Sequence, residues 1–245
     1  MSRLVGILFF ASLVVLALGL YRGDELPAAT ELLPALAAAP LQTPAVRKPF
    51  DVTVNDVDYH IEPLYRYELY GLVVSKHMAD GLIDYVHKQW SDHLNTADLC
   101  VVWGKVALSG IYTQFSFASG QWTCWYQTHS SEAWQQFSED QLSNNHILSD
   151  QANIRSLLKE VRVGDQIYVE GHLAKYSHDG GFQRGSSTTR TDRGNGACET
   201  VFAEELRILK HSPALWRTLR WGAAIMLLLL SLLWFLLPPV VRQTH

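Results

Sequence analysis

A cysteine, a histidine and an asparagine in this sequence have residue types that can act together in catalysis. Cys198 lies in the polar, turn-rich segment 184–200, and His146 follows Asn144 and Asn145 in the segment SNNH. A reactive thiolate needs a histidine or a positive field to lower its pKa, and an asparagine can orient that histidine. If folding brings Cys198, His146 and Asn145 together, they predict a thiol-dependent hydrolase or transferase.

The three cysteines also have a structural interpretation, since they allow one disulfide and one free thiol. Cys100 lies in the apolar run ADLCVVWG, where a buried thiol is ordinary. Cys124 and Cys198 adjoin polar sequence that is rich in turn residues. In oxidised protein we therefore expect a Cys124–Cys198 disulfide, which would remove the nucleophile, so the redox state of Cys198 distinguishes an enzyme from a binding module.

The segment 184–200, RGSSTTRTDRGNGACET, contains the most unusual composition in the chain. A phosphate-binding loop needs converging glycine N–H groups and a following helix, and neither a Gly-Lys-Ser/Thr sequence nor a helical pattern follows here. The segment instead predicts a β-hairpin, in which SSTTRT and ACETVF pair around a turn at residues 192–196.

Arginines are concentrated in this predicted hairpin. Arg184, Arg190 and Arg193 carry planar donors that suit carboxylates and phosphates. With Asp192 and Asn144 they form the predicted binding surface of the protein.

Histidines and carboxylates on the predicted helix 79–95 could suggest a metal site. His87, His93, Asp84 and Asp92 do not have the spacing of a His-Glu-x-x-His zinc motif. A solvated helix face explains them, and the sequence predicts neither a metal nor another cofactor.

Aromatic residues surround Cys124 on a predicted strand. Trp122, Cys124 and Tyr126 share one face of this strand, and Trp125 lies on the other. Such residues more often fill the core of a small barrel, but on an exposed face they can stack against sugars or bases.

The central part of the chain has the periodicity of strands interrupted by a few helices. Alternating residues predict a hairpin over 50–61 with a turn at Asn55-Asp56, and further strands are predicted over 97–108, 111–128, 165–177 and 197–209. Helical spacing occurs over 79–95 and again at Ile154, Leu157, Leu158 and Val161. The pattern predicts a β-dominated α+β domain with antiparallel pairing and two or three helices.

Both ends of the chain are apolar. Residues 4–20 lack charge, which predicts a signal anchor or transmembrane helix over 1–22, with Ala17-Leu18-Gly19 as an alternative cleavage site. Residues 221–241 predict a second transmembrane helix, assigned to 218–241. The Pro- and Ala-rich residues 23–49 predict an extended linker, so the folded domain is expected over 50–210.

Charge bears on both partners and location. A formal net charge of −4 argues against a general nucleic-acid binder. Basic residues before the second apolar run (Arg207, Lys210, Arg217 and Arg220) favour a cytoplasmic domain by the positive-inside rule. The export-like first segment, the linker and the cysteines favour a periplasmic domain, which is our prediction.

Two resemblances complete the sequence analysis. The segment VRVGDQIYVEGHLAKY, with the closing strand TVFAEELRIL, resembles strands of OB-type barrels. Together, YELYGLVVS, QWTCW, LSNNH, VGDQIYVEGHLA and STTRTDRGNGACET resemble a family of membrane-anchored bacterial proteins of unknown function. This resemblance implies a bacterial inner membrane and supplies no catalytic residues. We therefore expect a membrane-tethered periplasmic binding or scaffolding module that contacts the lipid bilayer and an envelope protein or glycan.

Overall fold

The computed structural model describes residues 3–81, 84–192, 198–213 and 215–236. Residues 26–212 form one compact unit, and the two terminal segments form a second. The compact unit is an α+β domain built around a mixed eight-stranded sheet and a separate two-stranded hairpin.

The strands are numbered in chain order. They are β1 Leu41–Pro44, β2 Phe50–Val54, β3 Val57–Met78, β4 Asn95–Val102, β5 Ser116–Gly120, β6 Thr123–Gln127, β7 Leu142–Leu148, β8 Gln166–His178, β9 Phe182–Arg184 and β10 Glu199–Lys210.

Five of these strands close into a barrel. Neighbouring strands pair in the order β3, β4, β7, β10 and β8, and β8 pairs back with β3. A five-stranded Greek-key barrel of this connectivity is the OB type. The expected antiparallel pairing is wrong at one position, because β7 and β10 run parallel while the other four barrel pairs are antiparallel. A long connection through β8 separates β7 from β10, and it allows this parallel pair.

The helices flank the barrel or lie at the chain ends. They are α1 Arg3–Arg22, α2 Val86–Gln89, α3 Gly104–Ser109, α4 Ser131–Gln136, α5 Ala152–Glu160 and α6 Leu215–Leu236. α5 was predicted from its periodicity, and its Ile154 and Leu158 are buried in the barrel core. Lys76 donates to the carbonyl oxygens of Leu158 (2.6 Å) and Val161 (2.7 Å), which stabilises the C-terminal end of this helix.

Local predictions differ in their outcome. The hairpin over 50–61 is confirmed, since β2 pairs with β3 around Asn55 and Asp56, whose φ angles of 51° and 60° are those of a type I′ turn. The helix predicted over 79–95 is wrong, because among the described residues of that range only Val86–Gln89 is helical. Leu82 and Ile83 lie outside the described residues. The remaining side chains fold around buried hydrogen bonds instead of forming an amphipathic helix.

The predicted linker is largely part of the domain. Residues 29–31 and 34–37 form short 3₁₀ helices, and β1 pairs with β3. Leu36 is fully buried against the outer face of the barrel. Gln166 holds this segment by bonds to the Leu33 N–H and the Glu31 carbonyl. Prolines prevent a continuous helix here, but the leucines of the segment still provide apolar surface to bury.

The second unit contains the two apolar terminal helices. Residues Leu4–Arg22 have a mean hydropathy of 2.6 and Leu215–Leu236 a mean hydropathy of 2.0, and both are long enough to span a membrane. A Cβ at Gly19 would lie 2.7 Å from the Cβ of Arg220, so this glycine permits close packing of α1 and α6. Residues 237–241 of the predicted C-terminal span lie outside the described residues.

The disulfide joins Cys100 to Cys124, so the predicted Cys124–Cys198 pair is wrong and Cys198 is a free thiol. The β5–β6 hairpin lies against the outer face of β4, where Cys100 is buried among apolar side chains. The apolar setting of Cys100 was interpreted as that of a thiol, but a half-cystine buries equally well in such a setting. The bridge ties the hairpin to the barrel.

Alkylation with a maleimide should therefore identify a different free thiol from the one the sequence indicated. When protein isolated under non-reducing conditions is denatured and labelled, peptide mapping should place the label on Cys198 alone. Reduction should then expose Cys100 and Cys124. Labelling of all three residues without reductant would contradict both the disulfide and an oxidising compartment.

Candidate functional site

The candidate site begins at the tip of the β5–β6 hairpin. Gly120 pairs with Thr123, so Gln121 and Trp122 form the turn. Trp122 has a φ angle of 61°. A bulky non-glycine residue in this region is strained by about 1–3 kcal/mol and persists only where its surroundings fix it.

Every polar group of Trp122 has a partner. Its N–H donates to Asp98 Oδ2 (3.0 Å), its indole Nε1–H donates to His87 Nε2 (2.6 Å), and its carbonyl oxygen accepts from the Cys198 thiol (3.6 Å). The indole ring stacks on Trp90 at 4.7 Å, and the Arg184 guanidinium lies 4.5 Å from the ring centre. These contacts hold the ring at one edge of a cleft.

A buried Asp–His pair positions the indole. His87 Nδ1 lies 2.6 Å from Asp84 Oδ2, and both side chains are almost completely buried. Because an indole N–H can only donate, His87 Nε2 must accept from Trp122, and His87 Nδ1 must donate to Asp84. Gln121 also donates to Asp84 (3.2 Å), so both turn residues are tied to the same pair.

A second buried Asp–His pair positions the guanidinium. His146 Nδ1 lies 2.6 Å from Asp98 Oδ1, and Arg184 Nη2 donates to His146 Nε2 at 2.7 Å. Since a guanidinium can only donate, His146 also carries its proton on Nδ1 and donates it to Asp98. Each pair therefore ends on a side chain that lines the cleft.

Hydrogen bonding controls the ionisation of these carboxyl groups. Burial by itself raises the pKa of Asp98, but His146 and Asn95 outweigh that effect, so the pKa lies below its usual value. Burial likewise raises the pKa of Asp84, and the bonds from His77 and His87 bring it below normal. Both carboxylates are thus kept ionised as acceptors.

The cleft has a volume of about 930 Å³. Its walls come from the connection between β3 and β4, the β5–β6 hairpin, β7, and the segment between β8 and β10. The residues lining it include Trp90, Trp122, Tyr126, Glu139, Ser143, Asn144, Phe182, Gln183, Arg184, Asp192 and Cys198. Loops of this kind and the adjoining strands form the ligand face of OB-type barrels.

The predicted catalytic trio does not assemble as a hydrogen-bonded unit. Both ring nitrogens of His146 are engaged by Asp98 and Arg184, and Asn145 donates to Leu99 O and Ser143. The side chain near Cys198 is instead Asn144, whose Nδ2 lies 3.7 Å from the sulfur. Burial raises the pKa of the Cys198 thiol, although Asn144 and Arg184 oppose it. A partly buried thiol with a raised pKa is a weak nucleophile.

The predicted hairpin over 184–200 is wrong in its first strand. SSTTRT is irregular, β9 pairs with β8, and β10 lies between β7 and β8. The Ser187 hydroxyl donates to Asp192 (2.6 Å) and accepts from the Thr189 N–H (3.1 Å), which gives this polar segment its hydrogen bonds without a sheet. Residues 193–196 of the turn predicted over 192–196, including the binding candidate Arg193, lie outside the described residues.

The predicted binding residues divide into two groups. Arg184, Asp192 and Asn144 line the large cleft. Arg190 points to the barrel instead, where it donates to the Pro40 carbonyl (2.8 Å) and lies 5.7 Å from the Trp103 ring. This arginine also lines a smaller cleft of about 430 Å³, together with Trp134 and Asp192.

A buried glutamate lies beside Arg190. Glu199 is 6% exposed, and Oε2 has no hydrogen-bond partner within the described part of the chain. Burial and, to a smaller extent, Asp192 raise the pKa of Glu199, while the backbone N–H of Glu199 and Arg190 lower it, and the net result is a pKa of about 8. Glu199 is therefore protonated at neutral pH.

His77, Asp84 and His87 have the composition of a metal-binding group, with ligand atoms within 4.8 Å of one another. The direction of the hydrogen bonds does not fit a metal, since a ligating histidine normally donates its other N–H to an acceptor. His87 instead accepts from Trp122 at Nε2 and keeps its proton on the nitrogen that faces Asp84. We interpret the cluster as a hydrogen-bonded support for the turn.

Sequence reasoning missed several residues of the site. Asp98 lies in an apolar run that was assigned only as strand, and Asp84 and His87 were assigned to a solvated helix face. Trp122 was assigned to the core. One signal for Asp98 was available in the sequence, namely a carboxylate within a run of apolar residues. Because a carboxylate is rarely buried without a partner, this position predicts a buried ion pair or hydrogen bond.

Comparisons with family models, curated proteins and solved structures found no match for this chain. The site therefore has to be interpreted from its geometry alone.

Proposed function

We propose that this chain is a membrane-tethered binding module of the bacterial cell envelope, with a periplasmic OB-type domain that holds its ligand in the cleft at Trp122. The observation that carries the proposal is the fixed, strained Trp122 at the wall of an open cleft. Backbone strain of this kind concentrates at functional sites. Concave sites with aromatic walls and a few placed polar groups are typical of ligand binding.

The membrane location is supported by the two apolar helices and by the resemblance to membrane-anchored bacterial proteins. The disulfide supports an oxidising compartment, because cytosolic proteins rarely keep one. Arg207, Arg217 and Arg220 oppose this orientation under the positive-inside rule. We give these arginines less weight for two reasons. The N-terminal segment usually dominates orientation, and the disulfide independently favours an oxidising compartment.

The alternative of a thiol-dependent enzyme has less support. Cys198 has a raised pKa, and His146 is held by Asp98 and Arg184. The chemistry of the cleft is that of binding: flat rings, one guanidinium, carboxylates and amides.

Site-specific photocrosslinking in cells tests the proposal. A photoreactive residue replacing Gln183, which lines the cleft, should yield an adduct with an envelope component. The additional substitution Trp122→Gly should abolish the adduct, because glycine tolerates the positive φ but removes the indole from the cleft wall. Mass spectrometry of the purified full chain would detect and identify the adduct.

Trp125→Ala provides the matched control. Trp125 lies on the same hairpin, is 55% exposed and does not line the cleft, so its removal should leave the adduct unchanged. An adduct at Gln183 that persists in the Trp122→Gly background, or no adduct at all, would exclude this cleft as the binding site.

A further inference from the structure

The large and small clefts form two parts of one candidate groove. Glu139 and Asp192 belong to the walls of both. Trp90, which is 45% exposed, provides a ring surface in the large cleft, and Trp134, which is 48% exposed, provides one in the small cleft. The Trp122 ring is already covered by Trp90 and Arg184, and it holds Trp90 in place. Separate aromatic surfaces along a shared wall suit a ligand with repeated flat units rather than one compact molecule.

An unpaired buried acceptor specifies part of the ligand. Asn144 is 5% exposed and lines the large cleft, and no described residue donates to its Oδ1. The orientation of the amide follows from its neighbour: the Cys198 thiol donates its only proton to Trp122 O, so the group facing the sulfur is the Asn144 NH₂. Leaving a buried acceptor without a donor is unfavourable, and a ligand O–H or N–H would supply the missing hydrogen bond.

The charges of the groove argue against a polyanion. Arg184 and Arg190 are the described basic residues in its walls, and Glu139, Asp140 and Asp192 are the acidic ones. Arg184 is partly committed to His146, and Arg190 to Pro40. Carboxylates and amides are hydrogen-bond partners for hydroxyl and acetamido groups, whereas phosphate chains require an excess of positive charge.

An extended peptide fits less well. A peptide that extends a sheet needs an exposed strand edge. β9 is the edge strand in this cleft, and it contains three residues. Such a short strand supports few main-chain bonds.

Resting on the function proposed above, we infer that the groove binds an uncharged glycan chain, in which sugar rings stack on the exposed indoles of Trp90 and Trp134 and a hydroxyl or amide hydrogen bonds to Asn144 Oδ1. N-acetylated amino sugars supply both the N–H donor and the apolar ring face. The groove is thus assigned to a chain of several sugar rings, with contacts in both clefts.

Isothermal titration of the full chain in lipid nanodiscs with N-acetylglucosamine oligomers tests this inference. The hexamer should bind at least tenfold more tightly than the dimer, because the longer chain offers more sugar rings to the two clefts. Trp134→Ala should remove that difference without weakening the dimer. Asn144→Leu should weaken both oligomers at least tenfold, whereas Asn144→Asp keeps the acceptor and should retain binding in a folded protein.

Two results would overturn the inference: no binding of the hexamer to the wild type, or hexamer binding that Asn144→Leu leaves unchanged. Trp125→Ala is the control, and it should bind the hexamer as the wild type does. The adduct at Gln183 then separates the two proposals. An adduct containing amino sugar supports the glycan, and a peptide adduct overturns the glycan while the binding module stands. Absence of any Trp122-dependent adduct overturns both.

Discussion

Glu199→Gln is expected to make the domain progressively more stable than wild type as the pH rises. The folded protein holds a proton on Glu199 up to about pH 8, whereas the unfolded chain releases it near the usual value of 4.5. Between these values the native state binds more protons than the unfolded state, so the wild type loses stability as pH increases. The difference between the two proteins should grow by about 1.4 kcal/mol per pH unit from about pH 5 to about pH 8. Urea unfolding of the full chain in micelles, repeated across this range, measures it.

Glu205→Gln is the matched control for this experiment. Glu205 lies on the same strand, is half exposed and pairs with Arg207 at 2.9 Å, so its replacement should change stability little at any pH. Comparing each variant with wild type also cancels the contributions of other groups, such as His172 and Lys76. A Glu199→Gln difference that stays constant with pH would show that Glu199 is ionised in the native protein.

The strands of the barrel were largely predictable from the sequence. The parallel strand pair and the packing of the β5–β6 hairpin against the barrel were not. Alternation in QIYVEGHLAKY and the Asn55-Asp56 turn determine local structure, and both were interpreted correctly. The helix over 79–95 and the first strand of the hairpin over 184–200 were not, because buried hydrogen bonds replace the regular pattern there. The parallel pairing of β7 and β10 depends on residues more than fifty positions apart, for which periodicity has no signal. The disulfide depends on where the β5–β6 hairpin packs, so spacing alone favoured the wrong partner for Cys124.

The site was only partly predictable for a related reason. Asn144, His146, Arg184 and Cys198 were identified by residue type, and the fold does bring them to one region. Their roles depend on which atom donates to which, and that is a property of the folded structure. His146 shows this well: a pattern suited to a general base proves to hold an arginine in place.

Asp98→Asn is expected to lower the free energy of unfolding by about 3–5 kcal/mol, because it disrupts a fully buried charge-assisted network. Asp98 Oδ1 accepts from His146 and Asn95, and Oδ2 accepts from the Trp122 N–H. An asparagine amide would direct its NH₂ group at a donor whichever way it is turned. Urea unfolding at neutral pH measures the loss, and labelling of Cys198 in the native state should become faster as the Trp122 turn loosens.

The contribution of Asp98 to the free energy of unfolding depends on pH in the opposite direction to that of Glu199. The native pKa of Asp98 is depressed, so its contribution is fully present above the unfolded value near 3.8 and is lost as pH falls through the lower native value. The difference in unfolding free energy between Asp98→Asn and wild type should therefore shrink in acid.

Asp51→Asn is the matched control for the Asp98 substitution. Asp51 forms a similar pair with His60 (2.7 Å), but this pair is largely exposed and contributes about 1 kcal/mol at most. Equal effects of the two substitutions would mean that the buried pair does not fix the turn, and Trp122 would then lack the support on which the binding site depends.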